Sequence, residues 1–182
     1  AIGIRGILDS HGIHVDHHNE NTFIQYNYME DCEGGFVEIL GDNETAVYRF
    51  NISVNDGWRE NPNWVNSNHT IWLSNTIGGE AGHESNNSFI YNNTVVVNRS
   101  SNPYRTAIDI RANNTRIFNN IFYSINGSKI GGKQVRVEDD NLLVTNNLFH
   151  GNVDTRFKDL DENGIYGDPS FYNEDLSGAK GF

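Results

Sequence analysis

The chain has 182 residues, of which 36% are hydrophobic, 12% aromatic and 20% charged, which suits one folded domain or part of a larger one rather than a disordered segment. Thirteen Lys and Arg stand against 24 Asp and Glu, a net charge of -11, which disfavours a nucleic acid or an anionic membrane as partner, and no apolar run is long enough to span a bilayer. The 28 Asn and 18 Gly favour turns over helices, and the single cysteine, Cys32, excludes an intrachain disulfide.

Ala1–Arg5 carries no signal-peptide pattern. Ile2, Ile4 and Ile7 read as strand with nothing before them, so the chain is expected to begin inside a longer protein. Two kinds of short strand then alternate. The first kind runs Ile13–Asp16, Val37–Leu40, Ile71–Ser74, Ile108–Arg111 and Val135–Glu138, each alternating apolar with polar or aromatic residues, the period of a strand with one buried face. The second kind shares an apolar-x-x-Asn pattern and carries the anchors Asn27, Asn51, Asn93, Asn120 and Asn147, separated by 24, 42, 27 and 27 residues. The long step holds two insertions, 55–68 with Trp58 and Trp64, and 78–85, rich in glycine. The tail carries Asp154, Asp159, Asp161 and Glu162, read as a solvated acidic turn because calcium-loop spacing is absent. Eight Asn-x-Ser/Thr sequons occur, and chance occurrence in an Asn-rich repeat is expected to account for them rather than selection for glycosylation.

Short strands recurring every 24–27 residues predict an all-β fold, a right-handed parallel β-helix of about five to six coils with almost no helix. Coils fill 1–160, as part of a longer β-helix, and 161–182 forms a tail or the start of a closing segment. One Asn per coil would bond to the next coil and build an internal ladder.

The coils, together with Tyr166-Gly167-Asp168-Pro169-Ser170-Phe171, resemble the pectate-lyase-like superfamily, and more narrowly bacterial right-handed β-helix repeat proteins associated with polysaccharide breakdown. The stretch Asp31–Leu40 followed by Val47–Asn51 is similar to the central coils of alginate lyase and chondroitinase B-like enzymes. Those use paired glutamates for calcium, then a lysine and an arginine. Glu38 matches one glutamate, Phe36 stands at the other, Asn43 at the lysine, and Trp72-Leu73-Ser74 where the arginine would lie. The resemblance therefore implies a β-helix and a polysaccharide, allows calcium as the only ion, and leaves the lyase machinery behind.

Stacking the first strands in register makes two outward columns: His14, Glu38, Trp72, Asp109, Arg136, and Asp16, Leu40, Ser74, Arg111, Glu138. An aromatic plate flanked by carboxylates and guanidinium groups suits a sugar chain. Glu38 is expected to be the catalytic acid or base, its pKa raised by its neighbours, with His14 beside it and Asp109 or Asp16 as the second carboxylate. Trp72, Arg111, Arg136, Trp58 and Trp64 would bind substrate. The competing reading makes Asp109–Arg136 and Arg111–Glu138 ordinary cross-strand ion pairs. The cluster His11, His14, Asp16, His17, His18, Glu20 does not assemble as a metal site, because strand alternation sends His14 and His17 to opposite faces. The expected function is a secreted, extracellular or periplasmic polysaccharide-active enzyme, a hydrolase rather than a lyase, with no required cofactor. The alternative is a non-catalytic β-helix, such as an adhesin, a tailspike-like stalk or a filament subunit that self-associates end to end.

Overall fold

The computed structural model describes residues 11–59, 68–99 and 105–172. In chain order its strands are β1 (Glu20–Gln25), β2 (Tyr28–Glu30), β3 (Gly35–Ile39), β4 (Glu44–Arg49), β5 (Ile52–Val54), β6 (His69–Leu73), β7 (Thr76–Ile77), β8 (Glu80–Ala81), β9 (Ser85–Asn86), β10 (Phe89–Tyr91), β11 (Thr94–Asn98), β12 (Arg105–Asn113), β13 (Arg116–Phe118), β14 (Ile121–Ile125), β15 (Lys129–Glu138), β16 (Leu143–Thr145), β17 (Leu148–Gly151) and β18 (Ile165–Tyr166). One four-residue helix, α1 (Thr155–Lys158), interrupts them.

The fold is all-β and its large sheets are parallel, an arrangement consistent with a β-helix-like fold. One sheet has ten strands and another six, and only the hairpin β7–β8 among the described strands is antiparallel. Register follows the repeat. Glu20 pairs with Glu44 and Tyr28 with Ile52, both 24 residues on; Ile52 pairs with Thr94, 42 on; Thr94 with Ile121 and Ile121 with Leu148, 27 on. The 42-residue step is thus one repeat that carries extra chain. Inward columns such as Val37, Ile71, Ile108 and Ile39, Leu73, Ile110 are fully buried and join one continuous core with Tyr48, Ile90, Ile117 and Phe122.

The asparagines do two jobs. Asn92, Asn119 and Asn146 take positive φ of 54–56°, a conformation Asn tolerates better than most residues. The next residue in each case joins a ladder. The backbone N–H and side-chain amide of Asn27 donate to Asn51 Oδ1 at 3.1 and 3.0 Å. Asn51 donates likewise to Asn93, Asn93 to Asn120 and Asn120 to Asn147, all within 2.9–3.0 Å. Asn147 donates both groups to Asp161 Oδ2 at 2.8 Å. An acceptor-only carboxylate thus ends a row of amides. In two repeats the positive-φ position holds an aromatic residue instead, and Tyr26 and Phe50 stack with centroids 5.2 Å apart.

Two expectations are corrected. Ile13–Asp16 forms no strand; it is held by the isolated bridge Val15–Ile39, while His11 bridges Gly35. The acidic tail is not a uniformly solvated turn. Asp161 is buried at the ladder's end, and Asp154 is buried as the N-cap of α1, paired with Lys129 and Arg156 at 2.8 Å. Sequon residues Asn43, Asn51 and Asn68 are buried, which removes them as glycan acceptors in the folded chain.

Candidate functional site

β3, β6, β12 and β15 lie side by side, with Val37, Ile71, Ile108 and Val135 in register. Side chains alternate along a strand, so the neighbouring residues Glu38, Trp72, Asp109 and Arg136 form a row on the opposite face. The Val15–Ile39 bridge sets His14 beside Glu38 at the row's end. Arg111 and Glu138 are likewise in register one step along.

The face is less open than the strand pattern suggests. Glu38 is 0% exposed and Asp109 4%. Glu38 Oε2 stands 2.7 Å from His11 Nδ1 and 3.4 Å from His14 Nδ1. Neither contact has the geometry of a hydrogen bond, so both are close approaches rather than directed bonds. Two further groups close the cluster. His69 stacks on Trp72 with centroids 5.2 Å apart, and His11 lies 6.1 Å from the same indole. Among the described residues, Glu38 Oε1, His11 Nε2, His69 Nδ1 and Trp72 Nε1 are buried atoms with no hydrogen-bond partner.

Gly35 makes this crowding possible. It sits between His11 and His69 in the row before Glu38, with φ of 143°. A Cβ there would stand 1.9 Å from the His69 carbonyl oxygen and 3.1 Å from His11 Nε2. Both imidazoles therefore flank a position without a side chain.

The electrostatics differ from expectation. Burial acts to raise the pKa of Glu38, but the contacts and charges of His11 and His14 outweigh it and hold it at about 2. Glu38 is therefore ionised near neutrality and is not a proton donor there. Burial, with the charges of His11 and Lys133, holds His69 down to about 3, so it stays neutral. Burial raises Asp109 against the opposing pull of Arg111 and Arg136. The charge pairs run along strands rather than across them: Arg111 Nε donates to Asp109 Oδ1 at 3.1 Å and Arg136 Nε to Glu138 Oε1 at 2.8 Å.

Asp16 is 66% exposed and accepts from the His17 backbone N–H at 2.8 Å. Trp58 is engaged with other groups: its Nε1 donates to the Asp31 carbonyl at 3.0 Å and Arg99 lies over its ring at 4.9 Å. Trp64 lies outside the described residues. Among the described residues, no three His, Cys, Asp or Glu side chains group as a metal site. His11 as the closest partner of Glu38 and His69 as the base of Trp72 were not anticipated. A shared offset carries the signal: His11, Gly35 and His69 each stand three residues before His14, Glu38 and Trp72.

No family model matches the chain, and no curated protein or solved structure matches it.

Proposed function

We propose that the parallel sheets wind as a right-handed β-helix of about five to six coils, and that the chain is a secreted polysaccharide-active enzyme, a hydrolase rather than a lyase. The sugar chain would lie across β3, β6, β12 and β15. The observation that carries this reading is the row Glu38, Trp72, Asp109, Arg136 on one sheet face, with His11 and His14 against a buried carboxylate and His69 and His11 beside the indole. Trp72, half buried, offers an apolar surface to a pyranose ring, and Arg111 and Arg136 offer donors to hydroxyl groups. Glu38 and Asp109 are two strands apart, ~9.6 Å from twice the strand spacing, at the long end of the ~6.5–9.5 Å of inverting carboxylate pairs.

The test is incubation with a panel of neutral and acidic polysaccharides, following new reducing ends and the absorbance of unsaturated sugars. Reducing ends without that absorbance are the expected result; absorbance would make it a lyase, and neither signal would end the enzymatic reading. The second reading, a non-catalytic β-helix, is favoured by one observation: Asp109 is almost fully buried and already paired with Arg111.

A further inference from the structure

β1, β4, β10, β13 and β16 pair side by side, with Ile24, Tyr48, Ile90, Ile117 and Val144 in register and turned towards the core. The residues before and after each of these project outward. The outward face on these strands is aromatic. Tyr91 and Phe118 stack with centroids 4.7 Å apart, and Tyr26 and Phe50, at the turn beside them, lie in planes 4° apart. Tyr26 is 73% exposed, Phe23 52% and Phe50 39%. None of these residues belongs to the strands that carry Glu38 and Trp72.

Two guanidinium groups sit among the rings. Arg49 Nε donates to Gln25 Oε1 at 2.8 Å and its Nη1 to the Tyr91 hydroxyl at 2.9 Å. Its Cζ lies 5.5–6.0 Å from the ring centroids of Phe23, Phe50 and Tyr91. Arg116 Nη1 donates to the carbonyls of Thr115 and Asn141. All these partners are neutral, and the ion pairs among the described residues engage other cations. In a chain of net charge -11, this face therefore keeps two positive charges uncompensated at contact range. Glu44 stands at the far end of β4 from Arg49, ~16 Å along the strand and about two screening lengths away in physiological salt.

The face is too small for a second protein. These strands span ~19 Å along the stack and Phe23 to Tyr26 spans ~10 Å, a footprint of roughly 200 Å² against ~800 Å² per partner in a stable complex. A narrow chain fits these dimensions. We propose that this face binds an anionic polysaccharide, a chain of pyranose rings that carry carboxylate or sulfate groups, and holds it without cleaving it. The exposed rings pack against the apolar side of the sugars, and Arg49 and Arg116 meet the acidic groups. The ligand class rests on the polysaccharide reading above; the surface uses none of its catalytic residues.

Affinity electrophoresis of the full chain tests it, in gels that hold polygalacturonate or dextran sulfate, with methyl-esterified polygalacturonate and dextran as their uncharged counterparts. The protein should be retarded by at least one charged chain and not by its uncharged counterpart, and the chain that retards it tells carboxylate from sulfate. Arg49→Gln should raise the Kd roughly tenfold or more, and Tyr26→Ala several-fold. Tyr26 is exposed, so its variant leaves the core intact even if Arg49→Gln should fail to fold. Retardation by neither charged chain, equal retardation by charged and uncharged chains, or unchanged affinity in a folded variant overturns the proposal. So does a dimer in light scattering that Tyr26→Ala dissociates, which would make the face a subunit interface. Retardation is read without turnover, so a protein that binds but cleaves nothing ends the hydrolase reading alone, and one that cleaves but is not retarded ends this proposal alone.

Discussion

At the scale of the residue, asparagine does most of the specifying. The ladder amides of Asn51, Asn93, Asn120 and Asn147 are buried, and each accepts from one neighbour while donating to another, so truncation leaves partners unpaired on both sides. Asn93→Ala or Asn120→Ala should each cost ~1–3 kcal/mol in chemical denaturation, and an unchanged midpoint would mean that the ladder is ornamental. The ladder is legible in the sequence because a polar residue recurring at one phase of an apolar repeat needs buried partners. Its terminator is not, since nothing in the string distinguishes Asp161 from Asp159 or Glu162. Trp72 makes a second prediction at this scale. Its indole touches His69 and His11 but transfers no proton, so Trp72→Ala should raise KM several-fold on the cleaved polysaccharide and leave kcat nearly unchanged.

At the scale of the element, β3 and β6 are matched by a glycine. Gly35→Ala would drive a Cβ into the His69 carbonyl at 1.9 Å, whereas Gly78, in the turn of the β7–β8 hairpin, has open space around it at φ of 58°. Gly78→Ala should cost about 1 kcal/mol for its left-handed backbone, and Gly35→Ala at least twice that, because the pairing of β3 with β6 must open. Thermal melts of the two variants make the comparison, and equal melting temperatures would refute it. The strand pattern predicted this face as a row, and the row is present. It did not reveal that Asp109 and Arg136 would each turn to a partner two residues along their own strand. Alternation decides which face a side chain leaves from, whereas the rotamer decides which neighbour it meets.

For the whole molecule, three buried groups set opposing responses to pH. The folded pKa of Glu38 is depressed from 4.5 to about 2, so its contribution is present above about 4.5 and is lost as pH falls through about 2. His69 is a base depressed from 6.5 to about 3; unfolding takes up a proton in that window, so stability falls as pH falls through it. Asp56 runs the other way. Burial outweighs its bonds from Cys32 N–H and Ser53 Oγ and pushes its pKa from 3.8 up to about 7. Its contribution is full below about 3.8 and is lost as pH rises through about 7. Melting temperature against pH should therefore fall less steeply below pH 6.5 in His69→Gln than in the wild type, and less steeply towards pH 7 in Asp56→Asn. Parallel curves in either variant would remove that group from the account.

The sequence alone determined the all-β class, the 24- and 27-residue steps, the phase of the row through Glu38, Trp72, Asp109 and Arg136, and the asparagine ladder. These are periodic properties, and a period survives in one dimension because every repeat must pair with the next through the same backbone hydrogen bonds. Only the tertiary structure decided that Glu38 is enclosed and ionised, that His11 and His69 join it across the gap left by Gly35, and that Trp58 packs under Arg99. Burial and charge are sums over neighbours drawn from several strands and the segments between them, and those neighbours lie 24 to 68 residues apart in the chain.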